Sequence, residues 1–99
     1  MIRVVAILTA KPGRREEFVA LFKANVAAVL QEKGCLEYAP VVDAEPSAAK
    51  LGPDVLVVIE TWEDYAALEA HRIAPHMVAF GKATRDMLAG RAIHVLAPA

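Results

Sequence analysis

Apolar side chains alternate along Ile2 to Thr9, setting Ile2, Val4, Ala6 and Leu8 on one side of an extended chain and Arg3, Val5, Ile7 and Thr9 on the other. The segment predicts a strand that is largely apolar on both faces. Lys11-Pro12-Gly13 interrupts it, and Phe18, Phe22, Val26, Val29 and Leu30 then return at helical spacing with Leu21 beside them, predicting a helix from Arg14 to Lys33. Glu16 and Glu17 in the first turn and Lys33 in the last match the sign that the helix dipole favours at each end, and Gly34 is the expected stop. Alternation resumes at Cys35 to Val42, with Leu36, Tyr38 and Val42 opposite Glu37, Ala39 and Val41. Pro40 cannot donate a ladder hydrogen bond, so this strand belongs at an edge or carries a bulge. Val55 to Glu63 predicts the most buried strand, with Leu56, Val58, Glu60 and Trp62 on one face and Val55, Val57, Ile59 and Thr61 on the other.

Between these two strands, Asp43 to Asp54 has the proline, glycine and alanine content of an exposed loop, fit to be a lid, a dimer arm or a tolerated insertion. Asp64 is an N-cap for a short helix through Leu68 and His71 that must end near Ala74, because Pro75 disfavours α geometry before it. Pro75 suits the first turn of a further helix carrying Met77, Phe80, Thr84, Met87 and Leu88 and closed by Gly90, and Arg91 to Leu96 makes the last strand. The order is that of a ferredoxin-like βαββαβ sandwich, an α+β fold with an antiparallel sheet and its second helix broken at Pro75. Helices in that arrangement cover one face, yet two strands are apolar on both. A second copy packed sheet to sheet is the economical cover, so a homodimer through the helix-free face is expected.

With 99 residues, 57% of them hydrophobic but 20 of them alanine, the chain holds one domain over 1–99 with a small core, which also favours association. Eleven Lys and Arg against twelve Asp and Glu leave no basic stripe for nucleic acid. The longest apolar run, Val55 to Ile59, is strand-sized, so no membrane insertion is expected. A lone cysteine, Cys35, and the absence of a signal-like start fit the reducing cytoplasm.

The run Glu60-Thr61-Trp62-Glu63-Asp64-Tyr65-Ala66-Ala67-Leu68-Glu69-Ala70-His71, followed by Ala74-Pro75-His76-Met77, and the segment Gly34-Cys35-Leu36-Glu37-Tyr38 resemble the antibiotic biosynthesis monooxygenase family. The resemblance implies a dimeric α+β barrel and oxidation of quinols or polycyclic phenols without metal, haem or flavin. Haem-degrading relatives carry an asparagine, a tryptophan and a histidine where this chain has Ala6, His71 and Gly81, so haem degradation is not expected. Val58 stands where one phenol-oxidising branch has an asparagine, so that branch's substrate does not transfer.

The residues support compatible chemistry. Triplet oxygen ordinarily requires a flavin or metal as electron source. A quinol or naphthol supplies its own electrons once deprotonated, leaving the protein to provide a base and a dry aromatic pocket. His71 is the candidate base, since imidazole accepts a proton at neutral pH without large tuning, and it lies on the Leu68 side of its helix. Glu60 is expected either to orient His71 or to be a buried carboxylate bonded to the Trp62 indole. Trp62, Tyr38, Val58, Leu68, His76, Met77 and Phe80 are the expected substrate contacts. His71, His76 and Glu60 are also the ligand types of a two-histidine, one-carboxylate metal site, but five residues across a helix break do not fix both rings on one face, so no metal is expected. Cys35 reads as a small core residue, His94 as an edge or dimer contact, and Lys11, Arg14 and Arg15 as a solvated turn. Two other functions use the same residues: proton transfer on a small carbonyl compound, and binding of a hydrophobic metabolite without turnover.

Overall fold

The computed structural model describes residues 1–99. Strand β1 (Ile2–Ala10) leads into helix α1 (Arg15–Leu30), strands β2 (Cys35–Val41) and β3 (Val55–Trp62), helices α2 (Tyr65–Arg72) and α3 (Pro75–Thr84), a 3-10 turn at Arg85–Met87 and strand β4 (Leu88–Leu96). The strands form one antiparallel sheet in the order β2-β3-β1-β4, the ferredoxin-like arrangement expected from the element order.

Register fixes the two faces. Val4 pairs with Glu60, Ala6 with Val58 and Leu8 with Leu56, and these residues point toward the helices. There they pack with Phe18, Phe22 and Val29 of α1, Leu68 of α2, and Tyr38 and Trp62 in one core. Phe22 stacks on Tyr38, with ring centroids 5.3 Å apart, and meets Phe80 of α3 edge-on at 5.7 Å. On the opposite face Val5 lies between Ile59 and His94, and Ile7 between Val57 and Ala92, with no helix over them.

Two helix ends and the face of Leu36 depart from the sequence expectation, while β2 is both at the sheet edge and bulged, as Pro40 led one to expect. Helix α1 stops at Leu30 because Gln31 and Glu32 donate to the carbonyls three residues back, tightening the last turn, so Lys33 lies outside the helix and Leu30 is exposed. A bulge between Cys35 and Glu37 puts Leu36 out of alternation with Tyr38 and leaves it exposed. Helix α3 ends at Thr84, not near Gly90, because pairing with β1 claims Leu88 and Gly90 for β4: Ala10 lies opposite Leu88 across an irregularity, and Thr9 opposite Gly90.

Other signals act as read. Asp64 Oδ1 accepts from the Ala67 amide at 2.8 Å, and Ala74 is extended before Pro75, which opens α3. The Asp43 to Asp54 loop is closed on itself: the two Asp43 carboxylate oxygens accept from the Leu51 and Gly52 amides, both at 2.9 Å. Arg15 of α1 donates to the carbonyls of Gly52 and Val55, tying the loop's end to the helix. No helix is long and apolar enough to cross a membrane.

Candidate active site

A cleft of about 900 Å³ opens between the helix-covered face of the sheet and helices α2 and α3. Val4, Ala6, Leu8 and Val58 form its floor, Phe18, Phe22, Met77 and Phe80 its apolar walls, and Tyr38, Glu60, Leu68 and His71 line it as well. Seven expected site residues therefore share one cavity: Tyr38, Val58, Glu60, Leu68, His71, Met77 and Phe80. Two do not line it. Trp62 is fully buried behind the wall, its ring centroid 4.7 Å from that of His71, so it backs the histidine instead of offering a platform to a ligand. His76 also lies outside the lining.

The carboxylate that holds His71 is not the expected one. Trp62 Nε1 donates to Glu60 Oε1 at 2.9 Å, while His71 Nδ1 lies 3.1 and 3.0 Å from the two carboxylate oxygens of Glu32. His76 Nε2 reaches the same Glu32 at 2.6 Å, so His71 and His76 do converge despite the helix break, on Glu32 instead of Glu60. No three His, Cys, Asp or Glu side chains meet the geometry of a metal site. Glu32 lies in the turn after α1, and its side chain is only 12% exposed, between His71 at 7% and His76 at 29%. The three groups thus run from the cleft wall toward solvent.

Gly34 makes this convergence possible. Its φ of +83° suits a residue without a side chain, and a Cβ there would come within 2.6 Å of the Ala67 Cβ on α2. The Glu63 amide donates to the Gly34 carbonyl at 2.8 Å. The turn carrying Glu32 and the helix carrying His71 are therefore pressed together at a glycine.

Electrostatics assign roles. With Nδ1 of His71 held by Glu32, its other ring nitrogen, Nε2, has no hydrogen-bond partner within the chain. Burial drives the Tyr38 phenol well above its ordinary range, reinforced by the Glu60 and Glu32 charges, so Tyr38 can donate a hydrogen bond but not serve as a base. Burial also raises Glu60, only partly offset by the bond from Trp62 and by His71 nearby. The Cys35 thiol is pushed up to about 11 by burial, then by Glu32 and Glu60, which leaves it protonated and a poor nucleophile.

Sequence reasoning missed Glu32. It lies 39 residues from His71, in a turn with no periodic pattern of its own. The available signal was an acid two residues before Gly34, the expected helix stop, at the helix end where the dipole disfavours negative charge.

The sheet order, the broken second helix and the cleft against the helix-covered face define a ferredoxin-like α+β protein with an open cleft between sheet and helices. Residues 1–83 match the antibiotic biosynthesis monooxygenase family, and the chain belongs to it. It is 39% identical over 102 residues to the Escherichia coli K12 protein named "Probable quinol monooxygenase YgiN", covering 99% of this chain and 98% of that one. The crystal structure of PA3566 from Pseudomonas aeruginosa has a TM-score of 0.83 at 31% identity, covering 99% of this chain and 93% of that chain. That of Rv0793 from Mycobacterium tuberculosis also gives 0.83, at 27% identity, over 99% of this chain and 94% of the other. Family and relatives together support a monooxygenase-type function.

Proposed function

We propose that this protein is a cofactor-independent monooxygenase that oxidises a quinol or related phenol with O2 in the cleft beside α2. The observation that carries the proposal is the buried His71 in the cleft wall, its Nδ1 held by both oxygens of Glu32. In this reading His71 Nε2 takes the phenolic proton, and Tyr38 donates a hydrogen bond to the resulting oxyanion. The electron-rich anion then reduces O2. One oxygen atom ends on the ring and the other leaves as water, so a hydroquinone with an open ring position and O2 give a hydroxyquinone and one water. Substrate supplies all four electrons, which is why no flavin, haem or metal is invoked. The name of the E. coli relative supports the quinol class.

Glu32 is a positioning residue here: it holds the His71 tautomer and, through His76, links the cleft wall to the surface. A second copy of the chain covers Val5, Ile7 and Ile59 on the opposite side of the sheet, giving a homodimer whose clefts remain open.

Oxygen uptake with anaerobically prepared naphthohydroquinone, corrected for autoxidation, tests the activity. Label from ¹⁸O2 should enter the quinone ring. Uptake no faster than autoxidation would end the monooxygenase reading, and enzyme-dependent proton exchange into a small ketone under argon would then favour the proton-transfer alternative.

A further inference from the structure

The cleft differs in character along its length. Tyr38, Glu60 and His71 lie at one end; Lys82 of α3, Arg85 of the 3-10 turn and Arg91 of β4 line the other. The ion pairs of the molecule join Arg14 to Glu17, Arg72 to Glu69, and His71 and His76 to Glu32. Lys82, Arg85 and Arg91 are thus without an acidic partner. Asp86 follows Arg85 in the chain but does not line the cleft. The cleft lining carries four cations, Arg72, Lys82, Arg85 and Arg91, against one acid, Glu60, and the three at this end are solvent-exposed. An anion is favoured where cations gather without acids, and a guanidinium group matches a carboxylate in geometry.

Register gives the separation of the two ends. Glu60 lies opposite Val4 and Arg91 opposite Leu8, on either side of β1. Four residues along the strand and two inter-strand steps put their backbones roughly 16 Å apart, and side chains reaching inward leave a span on the order of 10 Å. Between the ends the walls are apolar and aromatic, with Phe18, Phe22 and Phe80 in mutual contact. A fused bicyclic ring alone is too short for that span; the same ring with a short carboxyalkyl arm fills it.

We propose that the cleft takes an amphiphilic aromatic acid, a phenol or quinol whose reacting hydroxyl meets His71 and whose carboxylate, about 10 Å away, is bound by Arg85 and Arg91 with Lys82 beside them. The His71 end of this assignment rests on the proposed function; the carboxylate end rests on the cations alone.

The test uses 1,4-naphthohydroquinone carrying a carboxypropyl arm at the 2-position, with the 3-position left open, and the methyl ester of the same compound. The acid should exceed the ester in kcat/KM by about tenfold or more, chiefly through KM, and the advantage should shrink as salt is raised. In Arg85→Gln/Arg91→Gln the ratio of acid to ester should fall toward one. Equal kcat/KM for acid and ester in the wild type, or a preference that survives in the double variant, overturns the proposal. If neither quinol is oxidised, the corresponding quinones are titrated against the fluorescence of Trp62, the only tryptophan and a neighbour of His71. Tighter binding of the acid that is lost in the double variant upholds the carboxylate site while the oxidase chemistry fails. Equal affinities overturn it.

Discussion

On the helix-covered face of the sheet, Val4, Ala6, Leu8, Leu56 and Val58 are sealed by aromatic and aliphatic side chains, and the single acid among them, Glu60, is bonded by the Trp62 indole. On the other face Val5, Ile7 and Ile59 are only partly buried, nothing from the chain lies over them, and the main polar pair is Thr61 donating to Glu37 at the margin. Both faces arise from the same alternation in the same strands, yet they differ in what a polar group can do there. A carboxyl or imidazole on the first face enters a low-dielectric cavity that alters its behaviour; on the second it would be solvated or would obstruct an interface. The proposed chemistry and the proposed association would thereby be separated by the thickness of one sheet.

The largest expected effect breaks the second face. Ile59→Lys should dissociate the dimer, at a cost of about 3 kcal/mol or more if the position is covered by a second copy. Ile59 is a sharper probe than Val57, because Val57 is already buried within its own chain. Sedimentation should show a dimeric wild type and a monomeric variant; a monomeric wild type removes the interface altogether.

Next, His71→Ala attacks the first face and should lower kcat about 10²-fold, equivalent to about 2.7 kcal/mol of transition-state stabilisation. A more acidic quinol, already ionised in solution, should partly restore the variant, which loss of packing alone would not allow. Undiminished turnover would remove His71 from the mechanism.

Glu32→Gln should cost less, about tenfold in kcat with little change in KM, because the imidazole remains but its tautomer is no longer held by a charge. Glu32→Asp should recover part of the loss. Equal damage in the two variants, accompanied by lowered melting temperatures, would reduce Glu32 to a packing role.

The smallest effect concerns Glu60 and stability. Because burial raises its pKa in the folded state, ionisation opposes folding increasingly as pH climbs from its unfolded value toward the folded one, and the penalty is then constant. Glutamine keeps an acceptor for the Trp62 indole without the charge. Glu60→Gln should therefore melt close to wild type in acid and above it near neutrality, and a difference that does not vary with pH would contradict this account.

How legible each face was follows from the range of the forces involved. Strand faces, the Asp64 cap, the break at Pro75 and the core aromatics were readable because alternation, capping and proline geometry act within a few residues. The end of α1 was misread since nothing in the composition of Gln31, Glu32 and Lys33 marks a tightened turn. Gly90 resembled a helix stop until strand pairing with Thr9 claimed it. Tyr38, Glu60, Leu68 and His71, proposed as site residues from the sequence, line the cleft, whereas the Glu32 contacts with His71 and His76 depend on α1, α2 and α3 meeting in space. Trp62 was assigned to the cleft from its strand face, which is correct, but the residue is set behind His71 instead of beside open space.

The Asp43 clasp has a consequence for how this fold tolerates change. With Leu51 and Gly52 gathered back onto Asp43, the intervening stretch leaves and rejoins the hairpin at nearly one place, and none of it lines the cleft. Its contour length is uncoupled from strand register, and lengthening a surface loop whose ends are pinned costs little closure entropy. Residues 44–50 therefore form an exchangeable cassette, a position where a reporter peptide or a new recognition element can be spliced in without touching either face of the sheet.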